Sequence, residues 1–291
     1  MQAFIITAYH NGELLERNLR LFAKEFRCFV HIDSGSQMNN QSYLSRLNEI
    51  ENVKAISKYK INWGSYLHMM AILELLKMAM EDEEITRVHI ISGEDIPIKS
   101  IEEFSRFFEE ENRYKNFIEL TDIREMPVMR LRYEKYHFQH IFNRQSSNVL
   151  VKYTDKVIRQ IQYHIPFKRK TKFAYKGLVW SSLSIEGVRR VVEYITPKRI
   201  KILKYCETAE EFMIQNALMG SDLEDTVVTD KLRYNDWSNC KTGPKVLTME
   251  YYDDIKETNA FFARKIQWKS GNKSADQLYE RLYEDFAYAI K

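Results

Sequence analysis

The sequence predicts an α/β protein with a mostly parallel central sheet flanked by helices, and three observations carry that prediction. Over the first hundred residues, apolar runs alternate with segments of helical period, the pattern of a parallel sheet covered by helices. The run Val88-His89-Ile90-Ile91 stops abruptly at Ser92-Gly93-Glu94-Asp95 and then at Pro97, which is how a buried strand delivers functional groups to its carboxyl edge. Finally, 291 residues with 44% hydrophobic side chains suffice for a substantial core. Nine glycines and five prolines, with no repeat, low-complexity tract or long linker, mark no boundary, so one domain over 1–291 is expected.

Taken in order, strands are expected near 3–8, 28–32, 53–57 and 87–91. Leu14, Leu15, Asn18, Leu19 and Phe22 form one helical stripe, and Leu67, Met70, Ala71, Leu73, Leu75 and Met78 crowd another. That second helix starts at Asn62-Trp63-Gly64-Ser65 with Ser65 or Asn62 as its cap, and its methionines read as core packing. A helix over 101–110 follows the fourth strand. Beyond residue 115 the pattern loosens into a strand at 116–120, a basic and aromatic stretch at 129–144, a helix at 154–163, a strand at 177–184 and a helix at 185–195. Thr208-Ala209-Glu210-Glu211 opens a helix to about Met219, and Thr208 with Glu211 has capping-box spacing. Gly243-Pro244 marks a turn, and 274–290 reads as a final amphipathic helix.

The formal charge of +3, from 44 basic and 41 acidic residues, describes a mixed surface without a long-range field for nucleic acid, so any anion site must be local. Three widely separated cysteines, Cys28, Cys206 and Cys240, argue against a disulfide framework and for a reducing compartment. Cys28 reads as core. The segment 1–8 has no basic n-region and too short an apolar run for a signal peptide or membrane span, so it reads as the first strand and a cytoplasmic location is expected. The cluster Lys168-Arg169-Lys170-Thr171-Lys172, beside Phe167 and Phe173, is either a solvated loop or a peripheral contact with anionic lipid at the inner face of a membrane.

Several side chains carry two meanings at this stage. Glu94 and Asp95 could hold a divalent cation on a nucleotide diphosphate, or Asp95 could cap the turn before 101–110. Asp33 fits turn capping, and His31 a packed strand position. Trp180, Tyr234 and Trp237 are either core or ring faces for a sugar. Arg264 and Lys265 follow the apolar lead-in Phe261-Phe262-Ala263, which can hold the backbone while a planar fork and a point charge project toward phosphate. A solvated charge pair is the other explanation.

Six segments then appear in a fixed order. They are Val30-His31-Ile32-Asp33, Trp63-Gly64-Ser65, Ile91-Ser92-Gly93-Glu94-Asp95-Ile96-Pro97-Ile98-Lys99, Lys176-Gly177-Leu178-Val179-Trp180, Thr208-Ala209-Glu210-Glu211-Phe212, and Arg233-Tyr234-Asn235-Asp236-Trp237 with Phe261-Phe262-Ala263-Arg264-Lys265. In that order, from about residue 3 to 267, the chain resembles the core 2 and I branching β-1,6-N-acetylglucosaminyltransferases, glycosyltransferase family 14, which includes the peptide xylosyltransferases; it looks like a bacterial-type member.

The resemblance implies a GT-A type fold, with a nucleotide-binding half over about 1–110 and an acceptor half over about 111–291. It implies inverting transfer of N-acetylglucosamine or another hexose from a UDP-sugar to a glycan acceptor in β linkage. No metal or other cofactor is implied, because the family neutralises the leaving diphosphate with basic side chains; Glu94 and Asp95 would then shape the strand edge. Matched by position, Glu211 is the implied catalytic base, with Glu210 beside it. Arg264, Lys265 and Lys245 would meet the diphosphate, Asp33 the uridine, and Ala8 the uracil slot. Asp122 and Arg132 fall in the stretch that touches acceptor hydroxyls. The chain lacks the membrane anchor and many cysteines of the secreted members, which favours a cell-surface polysaccharide or lipid-linked oligosaccharide as acceptor. A metal-dependent transferase using Glu94 and Asp95, and a non-catalytic carbohydrate- or nucleotide-binding protein, are the alternatives.

Overall fold

Strands that are apolar on both faces need cover on both faces, and the N-terminal elements supply it. In the computed structural model, which describes residues 1–143, 146–240 and 243–288, β1 (Gln2–Ala8) is buried at every position. It is followed by α1 (Gly12–Phe22), β2 (Arg27–Ile32), α2 (Gln41–Asn48), β3 (Val53–Ile56), α3 (Tyr66–Met80) and β4 (Arg87–Ser92). β1 lies between β2 and β4, parallel to both, and β3 extends the parallel set beyond β2. The alternation of the strand puts Phe4 and Ile6 against one core and Ala3 and Ile5 against the other. α1 buries the expected stripe, Leu14, Leu15, Asn18, Leu19 and Phe22, on the first side. α3 covers the second with Met69, Ala71, Ile72, Leu73, Leu75, Leu76 and Ala79; of the expected stripe, Leu67, Met70 and Met78 are only half-buried.

The remaining elements are short. β5 (Ile96–Pro97) leads to α4 (Ile101–Ser105), which continues as a π-helical stretch over Arg106–Glu111, and then come β6 (Asn116–Phe117) and β7 (Thr121–Asp122). α5 (Pro127–Glu134), α6 (Val149–His164), β8 (Tyr175–Lys176), β9 (Ser182–Ser184), α7 (Ile185–Tyr194) and α8 (Pro197–Leu203) follow. The chain closes with α9 (Met213–Leu218), β10 (Val227–Val228), β11 (Arg233–Tyr234), α10 (Tyr252–Glu257), β12 (Phe262–Ala263) and α11 (Lys273–Tyr288). The main sheet runs β10-β6-β9-β4-β1-β2-β3, with β9 antiparallel to its neighbours β4 and β6. The fold is therefore mixed α/β on a mainly parallel central sheet flanked by helices, as expected.

Two small sheets position the functional segments. β12 pairs antiparallel with β5 and parallel with β11, which brings residues 262–265 alongside the turn at 93–97. β7 pairs antiparallel with β8, with Thr121 opposite Lys176. Arg233, in the last of the ordered motifs, is a structural tie: its guanidinium donates to the carbonyls of Ile90 and Ser181, locking β11 onto β4.

Several local expectations are corrected. Only Asn116–Phe117 of 116–120 is a strand, and 177–184 is strand only at Ser182–Ser184, with Tyr175–Lys176 paired elsewhere. The helix expected at 154–163 spans Val149–His164. Helix 101–110 is α-helical only to Ser105 and is capped by Ser100 in a capping box with Glu103, while Asp95 holds the turn before it by accepting from Ser92 N. Ser65 makes no side-chain cap on α3, and Asn62 spends its amide on the Gln139 carbonyl. The capping box at Thr208 does not form: Thr208 sits at φ 52°, in the left-handed region, with a 3₁₀ turn over Ala209–Phe212 before α9. Of the expected tail helix, 289–290 lie outside the described residues. His31 and Cys28 are buried, as expected.

Candidate active site

The carboxyl ends of β1, β2 and β4 meet at one edge of the sheet, where open α/β sheets place their ligands. Ala8 closes β1 and is buried; its carbonyl accepts from Asp33 N at 2.9 Å. Gly93, one residue past β4, is packed so closely that a Cβ there would sit 3.0 Å from the Ala8 Cβ. Asp33 uses one carboxylate oxygen to accept from Gly35 N at 2.8 Å and Ile61 N at 3.0 Å, so it caps its own turn. Ala8 and Asp33 are thus brought side by side.

Glu211 stands at this edge because glycine lets two segments touch. A Cβ on Gly177 would fall 1.8 Å from the Glu119 carbonyl oxygen, and Gly177 N donates to Glu211 O at 3.0 Å. That contact fixes Lys176 beside the carboxylate, with Nζ 2.7 Å from Oε2. Arg132, from α5, donates to the same oxygen at 3.0 Å. Burial raises the Glu211 pKa; Lys176 and Arg132 oppose the shift, while Glu210 adds to it. The result is a carboxylate that is desolvated yet held charged by two cations, a setting that makes it a stronger base than a solvated one.

Next to it, Glu210 is buried and reaches His68 Nδ1 at 3.2 Å with one oxygen, while its other oxygen has no hydrogen-bond partner. The far nitrogen of His68 meets Thr7 Oγ1 at 3.2 Å. Trp180 follows, its ring 5.9 Å from that of His68. The Arg264 guanidinium in turn lies 4.3 Å from the Trp180 ring centroid. Contacts therefore run without a break from Glu211 to Arg264.

Arg264 is 5% exposed. Its Nε lies 3.6 Å from Asp95 Oδ1, an ion-pair distance too long for a hydrogen bond, and its Nε and Nη1 are buried with no acceptor. Buried guanidinium N–H groups without acceptors are costly. Lys265 pairs with Glu94 at 3.1 Å, and Glu94 also faces His10 at 3.4 Å. Asp95 organises the turn at the end of β4 by accepting from Ser92 N at 2.6 Å and from the Ser92 hydroxyl. Both strand-end carboxylates thus face cations of the chain itself.

Other sequence candidates are spread differently. Lys245 adjoins Lys265 through its carbonyl, but its ammonium pairs with Asp236 at 2.8 Å. Asp122 is exposed and clasped by Arg124, two residues on. Tyr234 bonds Asp254 through its hydroxyl at 3.3 Å, and Trp237 is exposed. In the basic loop, Arg169 is consumed by the carbonyls of Tyr133, Tyr205 and Ile202, and Lys168 by Glu134. Sequence reasoning assigned no role to Lys176, His68 or His10. Lys176 had a signal, since it opens one of the ordered motifs next to the glycine that carries the close approach; the two histidines had none.

Among the described residues, no helix is long and apolar enough to cross a membrane. The family model described as Branch, Core-2/I-Branching enzyme, matches residues 2–259. No curated protein matches the chain. Among solved structures, one of S. aureus TarS, residues 1–349, is similar at 13% identity and a TM-score of 0.39, covering 79% of this chain and 58% of that one. A longer S. aureus TarS structure gives 14% identity and a TM-score of 0.38, covering 75% of this chain and 34% of that one. The chain thus spans less than two thirds of the length of either.

Proposed function

The chain belongs to the Core-2/I-branching enzyme family and is a glycosyltransferase; we propose that it transfers a hexose, with inversion and without a metal, from a UDP-sugar to a glycan acceptor. The observation that carries this reading is the pairing of two features on one strand edge: a desolvated Glu211 carboxylate, and a buried Arg264 whose Nε and Nη1 lack acceptors. In the reaction, the acceptor hydroxyl gives its proton to Glu211 as its oxygen bonds to the anomeric carbon. The bond from that carbon to the diphosphate oxygen breaks on the opposite face, and UDP leaves with the electron pair. An α-linked donor then yields a β product.

The leaving charge is met by Arg264, whose idle donors suit a diphosphate oxygen, and by Lys265, which exchanges Glu94 for phosphate. Glu94 and Asp95 hold these two cations in place when no diphosphate is present. Lys245 is a weaker contributor, since it must leave Asp236 first. Ala8 and Asp33 are the proposed nucleoside contacts, and Arg132, Trp180, Asp122, Tyr234 and Trp237 the proposed acceptor side. UDP-N-acetylglucosamine or another UDP-hexose is the proposed donor, and a cell-surface polysaccharide or lipid-linked oligosaccharide the acceptor.

The test separates the two halves of this account. Glu211→Gln should lower transfer by about a hundred- to ten-thousand-fold and leave UDP affinity, measured by calorimetry, nearly unchanged. Arg264→Ala with Lys265→Ala should weaken UDP binding. Wild-type turnover by the first variant would refute the base, and unchanged UDP affinity in the second would refute the clamp.

A further inference from the structure

A surface helix ordinarily turns its apolar stripe inward, and α6 does the reverse. Only Asp155 of its sixteen residues is buried. The inward face is held by polar contacts, with Tyr136 N donating to Gln162 Oε1 at 2.8 Å and Gln162 Nε2 to Tyr136 O at 2.6 Å. On the outward face Val149, Leu150, Tyr153, Val157 and Ile161 recur at helical spacing, with Val149 74%, Leu150 75% and Tyr153 66% exposed. Tyr163, Ile165 and Phe167 continue the exposed apolar surface past the helix end. Beside it lies an open apolar groove of about 340 Å³, lined among others by Tyr136, Phe138, Ile158 and Phe167.

Charge decides what covers such a surface. Lys152 and Lys156 flank the stripe along the helix, and Lys170 and Lys172 stand in the loop just beyond it, all four without an ion pair among the described residues. Asp155, the one acidic residue in 149–172, is turned inward and pairs with Arg159 at 2.9 Å. The outward face is therefore apolar with a purely basic border. Large exposed apolar patches mark interaction sites, and an apolar helix face edged with lysine suits an anionic bilayer, where the side chains enter the headgroup boundary and the ammonium groups meet lipid phosphates. We infer that α6 and the loop to residue 172 form a membrane-docking surface for anionic lipid. The inference stands apart from the transferase reading, since it needs neither Glu211 nor Arg264. It also gives the basic loop a different part from the one its sequence suggested: the loop supplies border charge, and the helix supplies the apolar contact.

Docking also has a route toward the site. Arg169, in the same loop, is bound to the carbonyl of Tyr133, and Lys168 to Glu134, both in α5 next to Arg132. A surface seated on lipid would thus hold the helix that carries a partner of Glu211.

The experiment is co-sedimentation of the whole chain with vesicles of phosphatidylcholine and phosphatidylglycerol, with pure phosphatidylcholine as the neutral arm. The wild type should pellet with the anionic vesicles and be released at high salt. Leu150→Ser/Tyr153→Ser/Val157→Ser should lower the bound fraction about ten-fold, and Lys152→Glu/Lys156→Glu/Lys170→Glu/Lys172→Glu by ten-fold or more. All seven side chains are largely at the surface, so both variants should keep the wild-type melting temperature. Failure of the wild type to pellet, equal pelleting with neutral vesicles, or full binding by the serine variant would each overturn the inference. A wild-type dimer that the serine variant dissociates, with no vesicle binding, would overturn it too and assign the face to a second copy of the chain.

Discussion

Glu211 draws its character from opposed forces on one carboxylate. Burial pushes its pKa up, and Lys176 at 2.7 Å and Arg132 at 3.0 Å push it down, with burial the larger. As the proposed general base, Glu211 must be deprotonated to act, so activity should fall on the acid side as pH drops through this raised pKa, and the acid limb of kcat/KM should report it. Lys176→Met removes a cation that favours the charged form. Its acid limb should therefore move to higher pH than that of the wild type, as read from a kcat/KM profile; a limb that stays put or moves lower would detach Lys176 from the base. This pairing was half legible. The Thr208-to-Glu211 spacing pointed to a capping box, but the left-handed turn at Thr208 breaks it and leaves the carboxylate to the two cations. No spacing in the sequence couples residues 132 and 176 to 211, because contacts made across separate segments leave no local period.

At the scale of elements, length decided what could be read. The longer strands β1, β2 and β4 announce themselves as apolar runs, and the helices that cover them as stripes. Pairs such as Asn116–Phe117 or Phe262–Ala263 are too short to carry any period, yet β12 delivers Arg264 and Lys265 to the strand edge. One residue binds β8 to the 3₁₀ turn at Glu211. With a Cβ placed 1.8 Å from a backbone oxygen, Gly177→Ala cannot be absorbed by a side-chain shift. It should cost about 3 kcal/mol or more in denaturant unfolding and depress turnover in whatever folded protein remains; a wild-type midpoint would contradict this packing.

In β2, His31 is fully buried, and its Nε2 accepts from the amides of Lys58 and Tyr59, which requires the neutral ring. Burial lowers its pKa to about 4. The unfolded chain takes up this proton near pH 6.5 and the folded chain does not, so the stabilisation is complete above that pH and is lost as pH falls toward 4. Between about pH 7 and 5 the wild type should lose roughly 2 kcal/mol more than His31→Asn. Equal losses in urea titrations would show that His31 titrates normally.

For the whole molecule, the decisive feature is that distant stretches of chain converge on the carboxyl edge of one sheet. The first strand brings Ala8, α3 brings His68, the turn after β4 brings Glu94 and Asp95, and residues 176, 211 and 264–265 arrive from the less regular second half. Composition and periodicity made the first half of this architecture visible, and the order of the motifs made the convergence visible; the side-chain pairs are a product of tertiary packing alone. At this edge Glu94 and Asp95 face Lys265 and Arg264, the residues of the proposed diphosphate clamp. The central claim is that this edge cleaves a UDP-sugar with inversion, using Glu211 and the chain's own cations. Its most direct test is proton NMR of UDP-hexose hydrolysis in excess EDTA, with water as the acceptor and UDP-N-acetylglucosamine first among the donors. The account predicts that the free sugar appears first as the β anomer, that EDTA does not slow its release, and that Glu211→Gln abolishes it. Release of the α anomer, or loss of activity in EDTA that manganese restores, would contradict it.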